Sequence, residues 1–119
     1  MKVTVNITKS FKTAAKPLLK KYPSLSKDLS NLESELIKNP KLGTALGNNV
    51  YKIRLKISSK GKGKSGGARV ISFLESELVG QVGITEKEIT VNLLTIYDKS
   101  ETAAITDKEL KELIKALHE

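Results

Sequence analysis

In segment 51–57, YKIRLKI, the cations Lys52, Arg54 and Lys56 alternate with Tyr51, Ile53, Leu55 and Ile57. Side chains of an extended strand point to opposite faces in turn. The three cations therefore stand about 7 Å apart on one face while the apolar set enters a core. Arg69 opens a second segment of strand character, 68–74 (ARVISFL), and a hairpin can carry it to the side of that row. The chain uses Lys nineteen times and Arg twice, and both Arg lie in this hairpin. A planar guanidinium suits bidentate contact with phosphate, or a fixed positive charge where a transition state gathers negative charge. A solvated strand face whose lysines discourage edge pairing has the same spacing. Tyr97 and Lys99 follow a fourth apolar segment, where side chains emerge from a sheet, and are further candidate participants; a plain turn with a packed tyrosine would read alike.

Other chemistries are poorly supplied. There is no cysteine, and the single histidine, His118, stands one residue from the end, so disulfide scaffolds, thiolate metal sites, cysteine nucleophiles and histidine triads are excluded. No spacing of carboxylates suggests paired acid–base catalysis or metal ligation, and neither a cofactor nor a metal is expected. The tract 58–67, SSKGKGKSGG, holds Lys60, Lys62 and Lys64 with Gly61, Gly63, Gly66 and Gly67. It matches neither GxxxxGK[ST] nor a strand-GxGxxG-helix fingerprint, so it reads as a flexible loop whose lysines can meet a nucleic-acid backbone.

The charge layout agrees with a polyanionic partner. With 21 basic and 13 acidic residues in 119, the net charge is +8. Residues 1–27 carry seven Lys and no acid, and residues 50–69 carry five Lys, both Arg and no acid, whereas residues 70–119 hold ten acids against five Lys. Neutralisation of phosphates by such cations supplies most sequence-independent affinity for nucleic acid, although a lysine coat for solubility gives the same totals. The length suits one domain, 1–119. No apolar run is long enough for a membrane span, and the alternating start MKVTVNITKS lacks the pattern of a secretory signal, so the expected location is cytoplasmic.

The elements that must position these residues follow from periodicity. Val3, Val5 and Ile7 alternate as a first strand. Phe11, Ala14, Ala15, Leu18, Leu19 and Tyr22 form one helical stripe, which Pro17 should kink or divide and Tyr22-Pro23 should end. Ser24 or Ser26 can cap a second helix with Leu25, Leu29, Leu32 and Leu36 on one face, stopped at Asn39-Pro40. Residues 41–49 and 75–87 read as polar turns, 88–97 as a strand apolar on both faces, and Thr106 to Glu109 as the capping box of a terminal helix bearing Leu110, Leu113, Ile114 and Leu117. The expected fold is α+β, in the order β-α-α-β-β-β-α, with an antiparallel twisted sheet, two N-terminal helices and one C-terminal helix.

Taken together, KKYPSLSKDLSNLESEL, NPKLGTALGNNVYKIRLKI, GGARVISF and VNLLTIYDKSETAAITDKELKELI resemble, in order and spacing, the RelE/ParE superfamily of bacterial toxins, particularly its RelE and HigB-like branch. The resemblance covers nearly the whole chain, and the YKIRLK and GGARVI pair is its most specific part. It implies a RelE-like fold and a toxin of a type II toxin–antitoxin module. Such a toxin is a ribosome-dependent, metal-independent mRNA endonuclease that inhibits translation and is blocked by a cognate antitoxin. By that resemblance Lys52 and Arg54 match the basic pair of the second strand and Arg69 the arginine opening the third. Lys52 would act as a base toward the 2′-hydroxyl, given a pKa lowered by neighbouring cations, or would steady the transition state. Arg54 and Arg69 would hold the scissile phosphate and Lys99 would contact phosphate; where relatives carry a tyrosine acid or stacking group near the end, this chain has Ile105 or a neighbour, and Tyr97 lies earlier. Lys56, Lys60, Lys62 and Lys64 would bind nucleic acid, including ribosomal RNA. Two alternatives stand beside this reading: a ParE-like inhibitor of DNA gyrase that cleaves nothing, and a non-catalytic RNA-binding protein.

Overall fold

A computed structural model describes residues 1–60, 67–102 and 104–117. Lys62 and Lys64, with Gly61, Gly63 and Gly66 of the same tract, and His118 lie outside the described residues. The chain folds as an α+β structure in the order β1 (Lys2–Ile7), α1 (Lys9–Lys21), α2 (Leu25–Lys38), β2 (Thr44–Gly47), β3 (Val50–Leu55), a 3₁₀ turn (Ser58–Lys60), β4 (Ala68–Gln81), β5 (Ile84–Asp98) and α3 (Asp107–Leu117). Among the described residues no helix is long and apolar enough to cross a membrane.

The five strands form one sheet in the order β1-β5-β4-β3-β2. Three expectations change here. The sheet is mixed, because β1, after its crossover through the helices, lies parallel to β5 from Lys2 opposite Glu88 to Ile7 opposite Leu93. Residues 41–49 are not all turn: β2 pairs with β3 through a hairpin whose Asn48 and Asn49 take φ of 54° and 64°. Left-handed backbone at both central positions matches the right-handed twist of the flanking strands, and Asn tolerates it best after Gly. Residues 75–87 are not a turn either. They continue β4 and β5 as an overhanging ribbon, paired to Gln81 opposite Ile84, beyond the ends of β3 and β1.

Two apolar layers cover the sheet. On one face Phe11, Ala15 and Leu18 of α1 and Leu25, Leu32 and Leu36 of α2 pack against Ile53, Leu55, Val70, Val91, Leu93 and Ile96. Fully burying each large aliphatic chain contributes about 2 kcal/mol. Pro17 sits inside a continuous α1 instead of dividing it. Thr8 accepts the Phe11 N–H at the start of α1 and donates at 2.7 Å to the Leu93 carbonyl, fastening the helix to β5. Ser24 precedes α2 without capping it by side chain and donates instead to Asp28 at 2.8 Å. The expected terminal capping box is present, with Glu109 N–H donating to Thr106 Oγ1 at 3.1 Å and Thr106 Oγ1 donating to Glu109 at 2.9 Å.

On the other face Val50, Ile71 and Leu94 are buried beneath Leu110, Leu113, Ile114 and Leu117 of α3. Leu94 is the extra residue of a β-bulge between Ile71 opposite Thr95 and Ser72 opposite Leu93. A bulge bends its strand and raises the local twist, which re-aims the segment leading to Tyr97.

Candidate functional site

Residues directly opposite one another in a sheet share a face. Arg54 stands opposite Arg69 across β3 and β4, and Arg69 stands opposite Tyr97 across β4 and β5, so the three form a row over three strands. Lys52 lies one step along β3 on the same face, opposite Ile71, and so belongs to the face that α3 partly covers. The sequence pattern expects the row on β3 with Arg69 beside it; the pairing fixes the register at Arg54 opposite Arg69 and adds Tyr97.

Arg69 is 8% exposed, and its Nη1 donates at 3.2 Å to the Ala68 carbonyl. Among the described residues no carboxylate stands within ion-pair distance of either guanidinium. Burying an unpaired cation is costly, and an arriving anion is the direct way to offset that cost. Tyr97 is half-buried. Burial pushes its phenol up from the ordinary value, and the charge of Arg69 and the Ile105 N–H draw it down by less. Its hydroxyl therefore holds its proton at neutral pH.

Arg54 and Lys56 are exposed, and with Lys52 they line a cleft of about 510 Å³ along the outer edge of β3. The β2 ladder ends at Thr44 opposite Lys52, leaving the Arg54 stretch of that edge without a neighbouring strand. The cleft also takes in Asp28 and Glu35. Lys99 follows β5 at the Arg69 end of the sheet, its backbone N–H donating to the Gly67 carbonyl at 3.1 Å.

Lys60 is placed elsewhere. Its ammonium donates to Asp98 Oδ1 at 2.8 Å and lies 5.6 Å from the centre of the Tyr22 ring. Asp98 follows Tyr97 and so points to the opposite face, which separates Lys60 from the row. The Lys60 pKa is raised, first by its bond to Asp98. Asp98 is buried and also accepts from Tyr22 at 2.7 Å and from the Ser100 hydroxyl at 2.7 Å. Burial would raise its pKa, but the bonds from Lys60, Tyr22 and Ser100 outweigh burial and hold it far below the carboxylate range.

A second buried carboxylate works at the start of the same segment. Asp28 accepts from Ser58 Oγ at 2.7 Å and from Ser58 N at 3.0 Å. Its pKa is also lowered, the bonds from Ser58 and Ser24 outweighing burial. The turn after β3 is thus held at Ser58 by Asp28 and at Lys60 by Asp98, which fixes where the β3–β4 connection leaves the sheet. Neither carboxylate was picked out from the sequence, where each is one acid among thirteen.

No protein-family model matches the sequence.

Proposed function

We propose that this chain is a RelE-like toxin of a toxin–antitoxin module, acting as a ribosome-dependent, metal-independent mRNA endonuclease. What supports the reading is the row Arg54, Arg69, Tyr97 with Lys52 beside it. One phosphodiester laid on this row meets two guanidinium groups, one of them buried without a carboxylate. The 2′-oxygen attacks the adjacent phosphorus and the bond from phosphorus to the 5′-oxygen breaks, leaving a 2′,3′-cyclic phosphate and a 5′-hydroxyl. Lys52 in its neutral form receives the 2′-hydroxyl proton, or as an ammonium steadies the charge while water takes that proton; Arg54 and Arg69 offset the oxyanion, and Tyr97, protonated at neutral pH, supplies a proton to the leaving 5′-oxygen. Such a reaction depends on alignment and preorganised cations. The ribosome supplies part of the alignment, Lys99 and Lys56 extend the phosphate contact, and an antitoxin restrains the activity in the host.

The test is to induce the protein in cells and map 5′-hydroxyl ends of mRNA with and without translation. Translation-dependent ends that vanish in the Lys52→Ala, Arg69→Ala double variant are expected. Growth arrest without such ends, or arrest undiminished in the double variant, overturns the reading in favour of a target such as DNA gyrase.

A further inference from the structure

A cleft of about 370 Å³ opens between β5 and α3, beside the cation row and on the same face of the sheet. Tyr97 belongs to both features: it stands opposite Arg69 and it lines the cleft. The other walls differ sharply from the row. Ile105 and Leu113 give apolar surface, Thr95 and Thr102 give hydroxyls, and Glu112 gives a carboxylate. Glu109 also borders the cleft, but its Oε1 is taken up by the capping box with Thr106. Glu112 is exposed and has no partner among the described residues.

The site is therefore cationic at the strand end, and apolar and anionic toward the helix. A nucleotide has the matching polarity, with an anionic phosphate at one end and an uncharged ring bearing N–H donors at the other. We infer that this cleft is a nucleobase subsite: a base next to the phosphate held by Arg69 seats against Tyr97 and Leu113, with its exposed edge toward Glu112. A carboxylate only accepts hydrogen bonds, so it favours edges with amino donors, as in guanine, adenine and cytosine. Uracil presents two carbonyls flanking its single N–H and is disfavoured. Unpaired RNA offers that edge freely, and stacking on an aromatic side chain is the usual way to hold it. The inference rests on the nuclease reading for its context, yet it is testable apart from it.

The purified full chain is titrated with the 3′-monophosphates of the four nucleosides while backbone amide resonances are followed. Shifts at Thr102, Ile105 and Leu113 are expected with all except UMP, which should bind about tenfold more weakly. Glu112→Gln, an exposed and conservative change, should narrow that gap to about threefold or less, because an amide can also donate. Equal affinities for the four nucleotides, shifts confined to the Arg54 and Arg69 strands, or a gap unchanged by Glu112→Gln would each overturn the subsite. The end-mapping experiment separates the two ideas: nucleotide discrimination without cleaved message removes the nuclease and keeps the subsite, while cleavage with no base bias that Glu112→Gln alters does the reverse.

Discussion

Arg54 and Arg69 face each other across adjacent strands, the first exposed and the second buried, with no carboxylate in ion-pair range of either among the described residues. Two like charges placed directly opposite oppose folding, and burial of one adds to the penalty. Stability and activity should therefore move in opposite directions here. Arg69→Met is expected to raise unfolding stability by about 1 kcal/mol in urea titrations. The same variant should lose mRNA cleavage. A large loss of stability instead would mean that Arg69 is satisfied in the free protein and does not await an anion.

The Asp98 cluster sets an acid limit on stability. Its folded pKa lies below the unfolded value of about 3.9, so its contribution is complete above that value and is lost as pH falls through it toward the folded value. Asp28 is shifted in the same direction and adds to the same window. Urea midpoints should hold steady from neutral pH to about 5 and fall below it. Asp98→Asn should cost about 3 kcal/mol at pH 7 and flatten part of that fall. A midpoint insensitive to acid in the wild type would contradict the cluster.

Tyr22 donates to Asp98 and also lies under Lys60. Tyr22→Phe keeps the ring beneath the ammonium but removes the hydroxyl, so it should cost about 2 kcal/mol, the worth of a hydrogen bond to a charged group. If the ring contact dominated, Phe would be nearly neutral and Tyr22→Leu alone would be costly. Chemical denaturation of both variants distinguishes the two.

Gly43 couples the β2 approach to the site. Its φ is +104°, and a Cβ there would stand 2.5 Å from the Lys52 carbonyl oxygen and 2.9 Å from Ile53 Cγ1. Gly43→Ala must push β3 at Lys52 as well as adopt a strained backbone, at a cost of about 2 kcal/mol. Cleavage should fall more than tenfold at temperatures where circular dichroism shows the variant still folded, since a displacement of about 1 Å can lower a rate about a hundredfold. Unchanged cleavage in the folded variant would detach Lys52 from the chemistry.

How far the sequence can be read depended on contrast between faces. Residues 51–57 alternate cations with apolar residues because one face is packed and the other is not, so the strand and its row were legible. The α1 and α2 stripes were legible for the same reason, and the Thr106–Glu109 box announced α3. The ribbon at 75–87 has no such contrast: Leu78, Val82 and Ile84 are largely exposed, so its paired backbone has no apolar periodicity to reveal it. Short, wholly exposed β2 was hidden likewise. The parallel placement of β1 depends on the helical crossover, which local pattern does not specify. The register that puts Arg54 opposite Arg69 goes with the double hold on Ser58 and Lys60, whose acceptors lie 30 and 38 residues away.

The overhanging ribbon makes β4 an electrically lopsided element. Arg69 begins the strand, while Glu75 and Glu77 stand further along the same face, and Glu77 lies directly opposite Glu88. At about 3.3 Å per residue, the Arg69 and Glu77 positions on the strand are separated by roughly 26 Å of backbone, more than twice the distance over which salt screens charge. A polyanion approaching this strand is drawn to one tip and repelled from the other. A polyanion of the kind proposed would therefore be met end-on, cation row foremost and ribbon trailing.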